Sequence, residues 1–260
     1  MGLETYSTAQ LVGLFAIGAI GSGINSVAGG GTLLTFPFLT QGIGLSASVA
    51  NATNAVALWP GSLGGVLGLR SEYAATQRSL RRLALVTFLG GASGAALFLS
   101  TSERVFRQLV PLLILFAALL LFFQPKIRKA FADRDRSIPV AAGMAIQFAV
   151  AVYGGYFGAG MGIMMLAAFS LFVPGNTHQI NFLKNALGVL INFSASVYFV
   201  AKGAVNLPVA LVLAVGGVVG GYVAASLSLK VDPNRLRTGV AVYGVLVAAY
   251  YAWQVFGTAG

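Results

Sequence analysis

The sequence predicts an all-α integral membrane protein, a polytopic helical bundle of two inverted-topology repeats. Three observations carry this. Of 260 residues, 57% are hydrophobic and only 8% are charged, where soluble domains hold about a quarter charged residues. Apolar runs long enough to cross a bilayer recur from end to end. The two halves also share their glycine and asparagine punctuation.

Five apolar segments are expected in each half, giving about 8–10 membrane segments in all. The first half offers 8–27, 31–41, 46–69, 80–100 and 104–123. The second offers 138–158, 160–173, 177–201, 206–228 and 237–256. Between them lies "QPKIRKAFADRDRSIP", the one long polar stretch. The chain therefore divides into a repeat over 1–123, a basic linker over 124–139 and a repeat over 140–260. The N-terminus, "MGLETYSTAQ", has no basic region before its first apolar run, so that run reads as a retained membrane segment rather than a cleaved signal.

Displaced by 131 residues, "GINSVAGGG" falls on "GGYFGAGMG". Gly29 then meets Gly160, Gly31 meets Gly162, Gly44 meets Gly175 and Asn54 meets Asn185. After a short deletion, Gly90, Gly91 and Gly94 meet Gly216, Gly217 and Gly220.

Charge fixes the expected topology. Twelve of the 16 basic residues fall in three places: 70–82, the central linker, and 230–237. The positive-inside rule puts those in the cytoplasm and both termini outside, in a cell inner membrane. The formal charge of +10 is thus assigned to the membrane surface, not to nucleic acid. Five segments per half is odd, so the halves must insert in opposite senses. That is a frequent transporter architecture.

The chemistry is bounded by what is missing. All six acidic residues lie in termini or loops, there is one histidine, and there is no cysteine. Proton relays and many cation sites use intramembrane carboxylates. Multi-histidine metal sites and thiol chemistry are excluded. An enzyme is disfavoured and no cofactor is expected.

Lys184 is the only charged side chain well inside a segment. An unpaired ammonium there is expensive, and a bound anion would supply the missing charge. Snorkelling to the headgroups is the equal alternative. Asn54 and Asn185, each in the third segment of its half, contact either a substrate or a neighbouring helix. Asn25 and Thr53 belong to the same candidate region, with Asn51, Asn181 and Asn192. Thr53 is the repeat counterpart of Lys184, so the repeat is asymmetric at its one charged position.

The mid-segment glycines read as close helix packing. Gly29, Gly30 and Gly31, with Gly160 and Gly162, differ because they lie between segments. They are expected to break or re-enter the helix after the first segment of each repeat. Backbone unwinds at membrane depth only beside protein or a cavity, and paired breaks point to a transport site. A helix N-terminus there would face an anion with free N–H groups.

"GINSVAGGGTLLTFPFL" with "SASVANATNAVAL", and "GGYFGAGMGIMMLAAF" with "THQINFLKNALG", resemble the two half-motifs of the sulfite exporter TauE/SafE family of membrane permeases. The resemblance covers nearly the whole chain. It implies export of small sulfur-containing anions such as sulfite or an organosulfonate. The second half departs from the pattern: Met161 replaces a glycine and Ala168 stands at the position of Pro37. Three function classes remain: an anion exporter, a transporter of another small solute with cation coupling, and a non-transporting membrane scaffold. The expected partners are a small anion and the bilayer, with association into a homo-oligomer left open.

Overall fold

The computed structural model describes residues 3–27, 30–132, 138–227 and 233–257. Among them it is all-helical, with no β-strand. The helices are α1 (Thr8–Val27), α2 (Thr32–Pro37), α3 (Ala47–Gly68), α4 (Tyr73–Ser100) and α5 (Glu103–Ala132). The second half has α6 (Val140–Tyr156), α7 (Met161–Phe172), α8 (Thr177–Ala201), α9 (Leu207–Leu227) and α10 (Pro233–Ala252). A π-turn over Phe38–Gly42 extends α2, and another over Trp253–Gly257 extends α10.

Among the described residues, five helical stretches are long and apolar enough to cross a membrane: Thr8–Asn25, Arg70–Ser100, Glu103–Ile127, His178–Ala201 and Asn234–Gly257. Three shorter apolar helices accompany them. Two boundaries differ most from expectation. Helix α4 starts at Tyr73, not 80, so Arg78 is helical along with Arg81 and Arg82. Helix α5 runs to Ala132 and takes in the first part of the expected linker. At 30 residues it is about 45 Å long, against a hydrocarbon core of about 30 Å. Its basic end therefore reaches beyond the lipid, where a helix needs no apolar face.

Packing pairs the halves. Helix α4 crosses α6 and α8, while α9 crosses α1 and α3. Helix α2 touches α10, and α7 touches α5. The remaining principal contacts are α3 on α8 and α5 on α10. Exchanging α1–α5 for α6–α10 maps these pairings onto themselves. The fourth helix of each half thus closes against the other half.

Glycine makes those crossings close. A Cβ at Gly94 would lie 2.1 Å from the Val152 carbonyl oxygen, and one at Gly155 2.1 Å from that of Gly91. In the matching crossing, a Cβ at Gly216 would lie 2.1 Å from the Phe15 carbonyl and one at Gly220 2.0 Å from that of Ala19. Backbones in such contact gain dispersion energy that larger residues would forbid.

Helix α3 begins with two caps. Ser46 Oγ accepts the Val49 N–H, and the Glu103 carboxylate accepts the N–H groups of Ala47 (2.9 Å) and Ser48 (3.1 Å). A carboxylate suits a helix N-terminus, where donors are unsatisfied and the dipole is positive. Glu103→Ala should destabilise the protein by about 1 kcal/mol, read as a lowered melting temperature in detergent. Glu103→Gln, which keeps one acceptor, should recover part of the loss.

Candidate functional site

Each half breaks after its first helix. Gly30 has φ 95° and Gly160 has φ 77°, in a left-handed region that costs other residues about 1–2 kcal/mol. Gly31 caps α2 and Gly160 caps α7. Gly29 lies outside the described residues.

The two breaks border one cavity of about 330 Å³. Gly30 and Thr32 line it from the first break, and Phe157, Gly158, Gly160 and Gly162 from the second. Helix α1 contributes Asn25, α3 contributes Asn54, Leu58 and Ser62, and α5 contributes Gln124. Helix α8 contributes His178, Asn181, Lys184, Asn185, Gly188 and Asn192. The α8 residues 178, 181, 185, 188 and 192 repeat at three- and four-residue steps, which puts them on one helix face. Met165 and Leu166 of α7 supply apolar wall.

Lys184 and the exposed His178 are the basic groups of this lining, and no carboxylate contributes to it. No hydrogen bond or ion pair from a described residue reaches the Lys184 ammonium. A Cβ on Gly162 would stand 3.5 Å from Lys184 Cδ, so the lysine stem lies along the start of α7. The Gly162 N–H takes no backbone partner, since the first-turn bonds at this end come from Met161, Ile163 and Met164.

Asn54 is 3% exposed. Its Nδ2 donates to Thr32 Oγ1 at 3.4 Å, and its Oδ1 has no partner. Asn25 Nδ2 donates to Ser62 Oγ at 3.5 Å, and Asn192 Nδ2 to the Gly188 carbonyl at 3.1 Å. Asn185 is half-buried at the cavity wall.

Two expected residues stand elsewhere. Thr53 is fully buried, and its Oγ1 accepts the Asn206 N–H at 3.0 Å. Asn206 in turn donates to the Tyr6 hydroxyl at 2.7 Å. Thr53 thus fixes the start of α9. Gly31 faces Gly21, where a Cβ would meet the Gly21 carbonyl oxygen at 2.1 Å. It allows α2 to fold back along α1. Asn51 likewise serves packing, donating to the Tyr156 carbonyl at 2.9 Å. Thr32, Ser62, Gln124 and His178 were missing from the sequence expectation. Only His178 carried a signal, through the polar spacing along α8.

A family model described as sulfite exporter TauE/SafE matches residues 14–251. The chain belongs to the TauE/SafE family. A relative from Haemophilus influenzae, named a probable membrane transporter protein, is 26% identical over 91% of this chain and 92% of its own length. The Escherichia coli K12 protein YfcA, also named a probable membrane transporter protein, is 26% identical over 98% of this chain and 96% of its own. No solved structure matches the chain. The protein is a multi-pass membrane transporter of the TauE/SafE family, and an enzymatic role finds no support in that family or those relatives.

Proposed function

We propose that this transporter exports small sulfur-containing anions, sulfite or a short organosulfonate, through the cavity between its halves. The observation that carries this reading is one lysine, Lys184, in a cavity lined by asparagines and no carboxylate. An ammonium without an acid partner is costly in such a setting. A bound anion offsets that cost and takes further hydrogen bonds from Asn54, Asn185, Asn25 and the backbone at Gly30, Gly160 and Gly162.

Opposed insertion of the two repeats, with the basic loops in the cytoplasm and both termini outside the inner membrane, is part of the same reading. The exchange symmetry of the helix pairings supports it. An inside-negative potential drives anion exit by about 2.3 kcal/mol per charge per 100 mV. Export then needs no coupling ion.

The test is sulfite efflux from proteoliposomes. Efflux is expected under an inside-negative potential alone, with sodium and proton gradients collapsed. Flux that requires a sodium gradient, or sodium-linked movement of a neutral solute without anion binding, would reject the proposal.

A further inference from the structure

At one end of the bundle, the space beyond the cavity is filled by aromatic rings. Phe98 packs edge-on against Phe106 (4.8 Å between centroids), Phe199 (5.4 Å) and Tyr156 (5.7 Å). Phe157 packs on Phe36 at 5.7 Å and on Phe106 at 6.3 Å. Phe36, Phe98, Phe106 and Phe199 are essentially without exposure. These rings come from both halves and from five different elements.

The cavity opens at the other end. His178, at the start of α8, is exposed and lines it, as do half-buried Gln124 and Leu69, which lie next to the basic Lys126 and Arg70. Along α5, Phe106 and Gln124 are about 27 Å apart; along α8, His178 and Phe199 are about 32 Å apart. The cavity mouth and the ring cluster therefore occupy opposite ends of the same helices.

Phe157 belongs to both. It lines the cavity and also sits between Phe36 and Phe106. It is followed by Gly158 (φ 79°) and Gly160 (φ 77°), a backbone with room to change conformation. The repeat-matched positions in the opposite half carry no such bulk. At the 131-residue displacement, Tyr156 corresponds to Asn25, Phe157 to Ser26 and Phe36 to Ala167. The sequence is therefore aromatic on one side of the site and small or polar on the other.

We infer that Phe157, held between Phe36 and Phe106, is the gate that closes the cavity toward the end opposite its mouth. Resting on the transport reading above, it makes this conformation the one open to the basic end. Passage requires the Phe157 ring to leave its seat, and Gly158 and Gly160 supply the hinge.

The chain has no cysteine, so Ser62→Cys puts a single thiol in the cavity. A charged, membrane-impermeant thiol reagent is applied to oriented membrane vesicles from each side in turn. In the Ser62→Cys parent, labelling is expected from the basic end alone. Adding Phe157→Ala should raise labelling from the opposite end at least tenfold. Phe36→Ala, which unseats the same ring from its other side, should act in the same direction, and Phe157→Leu should act less. Two-sided labelling in the parent overturns the gate. So does opposite-end labelling unchanged by whichever of Phe157→Ala and Phe36→Ala elutes as a folded protein. Flux plays no part in this readout. A chain that carries no sulfite yet passes it loses the substrate assignment and keeps the gate.

Discussion

Replacing Lys184 by methionine is expected to weaken sulfite binding by on the order of a hundredfold and to stop efflux, without destabilising the empty protein. The first effect follows from losing a charge-assisted hydrogen bond, worth about 3 kcal/mol at the upper end for charged groups. The second follows from the surroundings. Lys184 has no acid partner among the described residues, and its stem runs along Gly162 in the cavity wall. Methionine fills a similar volume without an ammonium to desolvate, so thermal stability without ligand should be unchanged or higher. A lysine that only anchors helix α8 to the headgroups would give the opposite pair: intact binding and a lower melting temperature. Lys184→Arg keeps the charge but substitutes a wider planar fork, and should retain weak binding with altered preference among anions.

The second large effect lies in the helix crossings. Gly94→Val and Gly220→Val should each cost about 3 kcal/mol or more and yield protein that aggregates on extraction. The reason is geometric. Even a single added carbon would stand 2.1 Å from the Val152 carbonyl oxygen or 2.0 Å from that of Ala19. These atoms are helix backbone and cannot turn aside as a side chain can. The crossing must open, and the contacts of a whole helix pair are lost with it. Gly64 and Gly239 are the controls, with nothing within 4 Å of an added Cβ. Alanine at either should be neutral or stabilising, because glycine in a helix is about 1 kcal/mol worse. Thermal unfolding in detergent, measured for all four variants, separates close packing from general intolerance of helix substitution.

Much of this architecture was legible in the sequence because lipid imposes a simple rule. Helices in contact with lipid must be apolar, so α1 and α8 begin and end where their apolar runs do. Lipid says nothing about residues beyond it. Arg78 fell outside the expected segment, yet it joins Arg81 and Arg82 in the exposed first turns of α4, and Gln124–Ala132 continues α5 in the same way. In the site, Asn54, Asn185 and Lys184 stood out because polar groups in apolar segments need partners. Thr53 looked equivalent to its neighbour Asn54, but it points to the start of α9 rather than to the cavity. Such orientation depends on which helix of the other half lies alongside. That pairing is set by glycine contacts between α1 and α9 and between α4 and α6, which a single chain does not announce. The ring cluster was opaque for the same reason, since Phe36, Phe106, Phe157 and Phe199 are far apart in sequence.

The central claim is that an anion sits between the two glycine breaks, against Lys184. It is tested most directly by anomalous diffraction from crystals soaked in selenite, the heavier analogue of sulfite. The account predicts an anomalous peak inside the cavity, within hydrogen-bond reach of Lys184 Nζ and lost in Lys184→Met. No peak in the cavity, with selenite bound only at the exposed arginines of the basic end, would contradict it.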